Sequence, residues 1–140
     1  MAPHIELSLS TRDGETACRT WAAPVRESAD ACLVLDARGV IYATSPSCRA
    51  LLGLPDDVDV QGRVFLDGSV KLVTFSASAG ALPRGEIERI PPLQSLSTGA
   101  LSRGLMRVMA GDVSRTLDAI ATPLHEGTDV SGSLTFFRRC

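Results

Sequence analysis

The side chains best suited to metal binding or nucleophilic catalysis in this sequence are four cysteines and two histidines. They are Cys18, Cys32, Cys48, Cys140, His4 and His125. The cysteines form no CxxC pair, and neither histidine lies at a metal-ligand spacing from a cysteine. An iron–sulfur cluster would need several thiolates close together. We therefore expect reduced thiols and no metal site.

One combination of these residues would suit a nucleophilic enzyme. Cys48 would be the nucleophile, His125 the base, and Asp36 or Asp118 the carboxylate that orients the base. No motif brings these residues together, and both carboxylates have structural explanations, because Asp36 falls at a turn and Asp118 on an exposed strand position. We therefore predict that the chain is not an enzyme.

The composition is that of an ordinary globular chain with one domain. Of its 140 residues 44% are hydrophobic and 21% are charged, and the length is too short for two ordinary domains. The formal net charge of -2, without a basic run, argues against a nucleic-acid partner. No apolar stretch approaches the roughly 20 residues of a membrane span, and no signal-peptide pattern opens the sequence. We expect no membrane partner and a cytoplasmic location.

The last third of the chain, Arg103 to Arg139, predicts three strands joined by short turns. The turns are Gly111-Asp112 and the polar loop from His125 to Asp129. Strands joined by turns this short pair antiparallel. The middle strand is expected to end at Pro123, which has no N–H to donate to a neighbouring strand.

Two more strands and a helix precede this meander. The apolar run Cys32 to Leu35 and the β-branched and aromatic run Val40 to Thr44 flank a turn at Asp36 to Gly39, which predicts a hairpin. Ser45 then provides a helix cap and Pro46 a favourable first helical residue.

These segments resemble the PAS family of sensor domains. The resemblance rests on the hairpin Leu33 to Ile41, the helix opening Ser45 to Gly53, and the run Thr116 to Leu124 followed by Gly132-Ser133-Leu134. It implies an α+β fold, in which short helices cover one face of a five-stranded antiparallel sheet of order 2-1-5-4-3. It also implies that Val70 to Phe75 is helical, whereas β-propensity favours a strand there.

The chain is expected to divide into an N-terminal region, 1–28, and a PAS-like domain, 29–140. Met1 to Ser10 is either an extra strand or a loose arm. Ala17, Trp21 and Val25 follow at the spacing of an amphipathic helix, and Pro24 lies at a place where it would start or kink a helical segment.

The resemblance to PAS domains raises the question of haem and flavin. Haem-binding members use a histidine on the cover helix, and the corresponding stretch, Pro83 to Gly99, has none. Flavin-binding members carry a Gly-Arg-Asn-Cys-Arg-Phe-Leu type motif after the first helix. Here Gly62-Arg63 is followed by Val64-Phe65, and Cys48 lies upstream of that place. We therefore expect no cofactor, which leaves a small, mostly apolar molecule as the ligand to consider.

Two functions of different class fit the resemblance. The first is a sensory signalling domain with a ligand cavity between the sheet and its cover helices. The candidate lining residues are Leu33, Leu35, Ile41, Leu93, Leu96, Met106, Leu117, Ala119 and Ala121. A cavity of about 300 Å³ is the usual minimum for a ligand site, so cavity volume separates this function from the second.

The second function is a ligand-free protein-interaction module that forms a homodimer or binds a partner signalling protein. The candidate interface residues are Ala17, Trp21, Val25, Ile120, Phe136 and Phe137. The sequence allows two contacts for the Trp21 side chain. It packs either on the sheet of its own chain or on a partner. PAS domains commonly continue into a signalling helix, whereas this sequence stops at Cys140. If these residues are the whole protein, its signal must pass to a separate partner. If they are a piece of a longer protein, the output domain lies outside this sequence.

Overall fold

A computed structural model describes residues 13–54, 60–68 and 70–140. The two alternatives for Met1 to Ser10 lie outside these residues. The helices are α1 Asp13–Glu27, α2 Pro46–Leu52, α3 Arg84–Ile87 and α4 Pro91–Thr98. The strands are β1 Ala31–Asp36, β2 Ile41–Thr44, β3 Lys71–Val73, β4 Ser102–Ala110, β5 Val113–Glu126 and β6 Asp129–Arg139. None of these helices is long and apolar enough to cross a membrane.

The strands form one antiparallel sheet in the order β2-β1-β6-β5-β4-β3. The prediction of five strands is wrong in number, because Lys71–Val73 pairs with β4 as a sixth strand. This apolar run thus has the structure that its β-propensity favours, and the helix that the PAS resemblance implies is absent there. The other five strands keep the predicted order, and the additional strand lies at the edge.

Pro123 does not end β5, which continues to Glu126. Ala121, paired with Ser102, is the last β5 residue that lies opposite β4. The loop between β4 and β5 has two residues, so Ala110 and Val113 form a hydrogen-bonded pair. Every second residue of β5 after Val113 directs its backbone N–H to the same side, which places the nitrogen of Pro123 on the β4 side. No described strand lies there, and the missing N–H therefore costs no ladder hydrogen bond.

Local polar chemistry fixes the β1–β2 turn and the start of α2. The carboxylate Oδ1 of Asp36 accepts hydrogen bonds from the backbone N–H of Arg38 at 2.9 Å and of Val40 at 3.0 Å. These bonds confirm the predicted turn and show that it is of the Asx type. Ser45 Oγ accepts from the N–H of Cys48 at 3.2 Å, which confirms the predicted helix cap.

The inner face of the sheet, which carries α4, holds the larger core. Helix α4 packs on β4, β5 and β6, while α2 contacts β1 and β4. The largest fully buried side chains include Phe65, Leu33, Leu35, Met106 and Leu117. Both prolines of α4 lie in its first turn, where no helical hydrogen bond is lost.

The predicted amphipathic helix is present as α1, and it covers part of the outer face of the same sheet. Cys18, Ala22 and Val25 of α1 are buried in a second cluster with residues of β1, β2, β5 and β6, among them Val34 and Leu134. Helix α1 lies over these strands and leaves the outward side chains at the start of β4 exposed. Part of the outer face therefore has no cover within the described chain.

Candidate functional site

A groove of about 420 Å³ opens at the edge of the sheet, where β3 ends beside β4. We call it the edge groove. Its apolar lining residues are Val73, Phe75, Leu82, Ile90, Leu105 and Met106. They come from β3, from β4 and from the segment that leads into α3 and α4, so the groove lies where the sheet meets its cover helices.

The groove exists because β3 is short. Its last residue, Val73, lies opposite Arg107, and the chain then turns back on itself. The N–H of Thr74 donates to the carbonyl oxygen of Gly80 at 2.8 Å, on the side of β3 that faces away from β4. On its β3 side, the start of β4 therefore has no neighbouring strand among the described residues. Ile90 and the residues around it form one wall of the opening.

Charged residues form the rim of the edge groove. The guanidinium of Arg107 donates to the carbonyl oxygens of Thr74 at 3.0 Å and Ser76 at 2.9 Å, and to Ser114 Oγ at 2.8 Å. These bonds hold the turn after β3 in place. Glu86 and Arg89, at the other wall, are exposed. The groove thus combines an apolar interior with a polar mouth.

A second, smaller depression of about 310 Å³ lies at the outer face, beside the part that α1 covers. Asp30, Ala31 and Phe137 contribute to its lining. Its other lining residues, which we call the outer patch, are Arg103, Asp118, Ile120, Phe136 and Arg138. Ile120 pairs with Arg103 on one side and with Phe136 on the other, and Phe136 is 43% exposed. The outer patch is therefore an apolar strip flanked by arginines.

A two-pronged ion pair crosses the outer patch. Arg103 Nη2 donates to Asp118 Oδ2 at 2.8 Å, and its Nε donates to Oδ1 at 3.3 Å. This hydrogen-bonded pairing holds the pKa of the Asp118 carboxyl below its ordinary value. The positive charges of Arg103 and Arg138 also lower this pKa. Asp118 is thus a structural carboxylate that stays ionised.

The predicted ligand-lining residues lie mostly in the packed inner core. All except Ala121 belong to the hydrophobic cluster of the inner core, in which Leu93 and Leu96 of α4 are partly buried. Ala121 is buried on β5 but is not part of this cluster. Of this set only Met106 lines either of the two cavities described above. Sequence reasoning did not assign Phe75, Leu82 or Leu105 to a cavity, because their position depends on where β3 stops.

The predicted interface residues divide between interior and surface. Val25 is buried against the sheet of its own chain at 2% exposure, and Phe137 is buried on the inner face. Trp21 and Phe136 are exposed at 41% and 43%. Ala17 and Ile120 are partly buried. Of the predicted interface residues, the exposed ones are therefore Trp21 on α1 and Phe136 in the outer patch.

The residues of the hypothetical nucleophilic enzyme are not assembled. Cys48 is fully buried in the inner core, and burial, with a smaller contribution from Cys32, raises the pKa of its thiol far above the ordinary value. Asp118 lies on the opposite face of the sheet. His125 is exposed, while His4 falls outside the described residues. No cluster of three or more potential metal ligands occurs among the residues described.

No family model and no curated protein matches the sequence. Solved structures do match the fold. A PAS domain from Colwellia psychrerythraea is 16% identical with a TM-score of 0.59, and the alignment covers 88% of this chain and 96% of that one. The PAS domain of nitrogen regulation protein NR(II) from Vibrio parahaemolyticus is 14% identical with a TM-score of 0.54, covering 84% and 95%.

A light-oxygen-voltage domain, whose mechanism was probed with a flavin analogue, is also similar. It is 15% identical with a TM-score of 0.57, and 84% of this chain and 82% of that one are covered. Identities this low concern the fold alone, and the strand order agrees with it. The chain therefore has the PAS fold, extended by one short strand at the β4 edge of its sheet.

Proposed function

We propose that the chain is a sensory signalling domain whose edge groove binds a small, mostly apolar molecule. The observation that carries this proposal is the volume of the groove, about 420 Å³, which exceeds the roughly 300 Å³ at which ligand sites usually begin. Its six apolar lining residues and charged rim suit a molecule with an apolar body and one polar end. The likeness to PAS domains supports the sensory role.

A thermal-shift screen of small apolar compounds tests this proposal, with the methyl resonances of Leu82, Ile90 and Met106 as the second readout. Compounds that stabilise the protein should shift these resonances. Leu82→Trp fills the groove and should abolish the stabilisation, whereas Leu101→Trp places the same ring on an exposed residue outside it. Hits that shift other methyl groups, or that bind the Leu82→Trp variant equally well, would contradict the proposal.

A second candidate function is a protein-interaction module that works through the outer patch. It is favoured by the exposure of Phe136 beside Ile120, on the part of the sheet that α1 leaves uncovered. A contiguous exposed apolar patch with a polar rim is typical of contact surfaces. The partner would be a second copy of the chain or another signalling protein, with no nucleic acid or membrane involved.

Sedimentation of the purified protein tests the second candidate in its self-pairing form. Phe136→Asp should raise the dissociation constant by about a thousandfold, because burying an aromatic side chain contributes about 2 kcal/mol in each of the two copies. Val113→Asp is the matched control, since Val113 is equally apolar and exposed but lies at the β4–β5 turn. Equal effects of the two substitutions would argue against the outer patch.

A further inference from the structure

The edge groove reaches around the open side of β4, so its two ends differ in character. Side chains of consecutive strand residues point to opposite faces of a sheet, and Leu105, Met106 and Arg107 all line the groove. Met106 is buried in the inner core, whereas Leu105 and Arg107 point to the outer face. The inner end of the groove is therefore apolar, and the outer end carries a guanidinium.

The guanidinium of Arg107 has unused hydrogen-bond donors at this outer end. Its Nη1 donates to two carbonyl oxygens of the turn after β3, and its Nη2 donates to Ser114 Oγ. Nε makes no hydrogen bond in the described structure, and Nη2 has a second N–H. These are the two nitrogens with which Arg103 holds the carboxylate of Asp118. Arg107 therefore keeps the donors that a carboxylate needs.

The positive charge of Arg107 is not neutralised by its own contacts. The three acceptors that it uses are two carbonyl oxygens and a hydroxyl, all of them uncharged. Among the described residues, no carboxylate forms an ion pair with Arg107 or with Arg89, the second arginine of the groove. Glu86 supplies the one carboxylate among the lining residues. The groove therefore has an excess of one positive charge.

We propose that the ligand of the edge groove is an amphiphilic carboxylic acid, with its apolar chain against Met106 and Ile90 and its carboxylate on Arg107. This inference rests on the proposed ligand-binding function and specifies the chemical class of the ligand. Three hydrogen bonds already hold the Arg107 side chain, so carboxylate binding requires little further ordering. Hydrogen bonds between a guanidinium and a carboxylate are also stronger than bonds between neutral groups.

The overall charge of the chain does not explain such a preference. The formal net charge is -2, and the field of a negatively charged protein attracts cations rather than anions. The one acid on the neighbouring strand opposite Leu105, Asp118, is bonded to Arg103 and adds no net charge beside the groove. Selectivity for an acid must therefore come from the arginines of the groove itself.

Three probes with the same eight-carbon chain and different head groups test this inference. They are octanoate, which is anionic at neutral pH, octanamide, which is neutral, and octylamine, which is cationic. Isothermal titration calorimetry measures their dissociation constants, and the methyl resonances of Leu82, Ile90 and Met106 locate the site. Octanoate should bind about tenfold more tightly than octanamide, because it gains charge-assisted hydrogen bonds. Octylamine should bind more weakly than both.

The same titrations distinguish failure of this inference from failure of the proposed function. If octanamide binds in the groove as tightly as octanoate, or if only neutral compounds of the thermal-shift screen bind there, the acid is wrong and the ligand site stands. If octanoate is preferred but shifts other methyl groups, the acid binds elsewhere and the inference is overturned. If no compound binds in the groove, the inference and the proposed function fail together.

Substitution of the arginines separates their charge from their structural role. Arg107 also holds the turn after β3, so Arg107→Gln is assessed by the ratio of the octanamide and octanoate dissociation constants. A distorted groove weakens both probes alike, whereas loss of the charge weakens octanoate alone and brings the ratio close to one. Arg89→Gln should lower the ratio less, because Arg89 is exposed. Arg84→Gln is the matched control, since Arg84 is exposed and does not line the groove.

Substitution of the acid on the rim should act in the opposite direction. Glu86→Gln removes the negative charge of the groove and should tighten octanoate binding about threefold without changing octanamide binding. Glu88→Gln is the control, because Glu88 is equally exposed and lies outside the lining. An unchanged ratio in Arg107→Gln overturns the inference, and so does weaker octanoate binding in Glu86→Gln.

Discussion

Cys18 Sγ lies directly against Gly132, where a Cβ atom would stand 2.7 Å from the sulfur and would overlap the carbonyl oxygen of Leu35. The thiol is held there by weak hydrogen bonds to Leu35 O at 3.7 Å and Ser131 O at 3.6 Å. Gly132→Ala should therefore lower the free energy of unfolding by about 2 to 3 kcal/mol through overpacking. Urea denaturation measures this, with Gly85→Ala as control because a Cβ there meets no atom. Equal midpoints would contradict the close contact.

Two adjacent alanines of α1 test how this helix sits on the sheet. Ala22 is buried against the outer face and Ala23 is exposed. Ala22→Asp should cost about 3 kcal/mol or more, because it buries an unpaired charge. Ala23→Asp should change the free energy of unfolding by less than about 0.5 kcal/mol. Similar urea midpoints for the two variants would mean that α1 does not pack as described.

The ion pair across the outer patch predicts a pH dependence with a defined sign. The pKa of Asp118 is lower in the folded chain than its ordinary 3.8, first because of the hydrogen bond from Arg103. Its contribution to stability is therefore present above the ordinary value and is lost as the pH falls through the folded-state pKa. Carboxyl NMR titration should show the Asp118 pKa rising in Arg103→Gln, and less in Arg138→Gln. No rise in Arg103→Gln would refute the pairing.

We predict that the purified protein is colourless and does not take up added flavin mononucleotide. Its sequence lacks the family's flavin motif and the haem-ligating histidine of the cover helix, and the Cys48 thiol is buried with a raised pKa. Absorption spectroscopy before and after incubation with the cofactor measures this directly. The likeness to a light-oxygen-voltage domain makes the experiment informative. A visible band that survives gel filtration would overturn the prediction.

Turns and caps were predictable because their chemistry is local. Asp36 bonds to the N–H of a residue two positions away, and Ser45 bonds to Cys48 three positions away, so the sequence contains both partners of each contact. The end of β5 was not predictable in the same way. Whether Pro123 breaks a strand depends on whether β4 reaches far enough to need its N–H, and that is a property of the paired strands.

The candidate sites were harder to predict than the fold for a related reason. In β6, alternation separates Phe136 from Phe137, but both faces of the strand carry apolar residues, because α1 covers one face and α4 the other. The pattern alone therefore does not show which phenylalanine is exposed. The edge groove depends on the length of β3, and the run from Val70 to Phe75 fits a strand or a helical turn.

The different burial of the four cysteines makes thiol labelling a measure of local unfolding in this chain. Cys140 is exposed, whereas Cys18, Cys32 and Cys48 are buried in three different elements, α1, β1 and α2. A maleimide dye under native conditions should therefore label Cys140 alone and provide a single attachment point for spectroscopy. In dilute denaturant, the order in which the other three become labelled would show which layer of the protein detaches first.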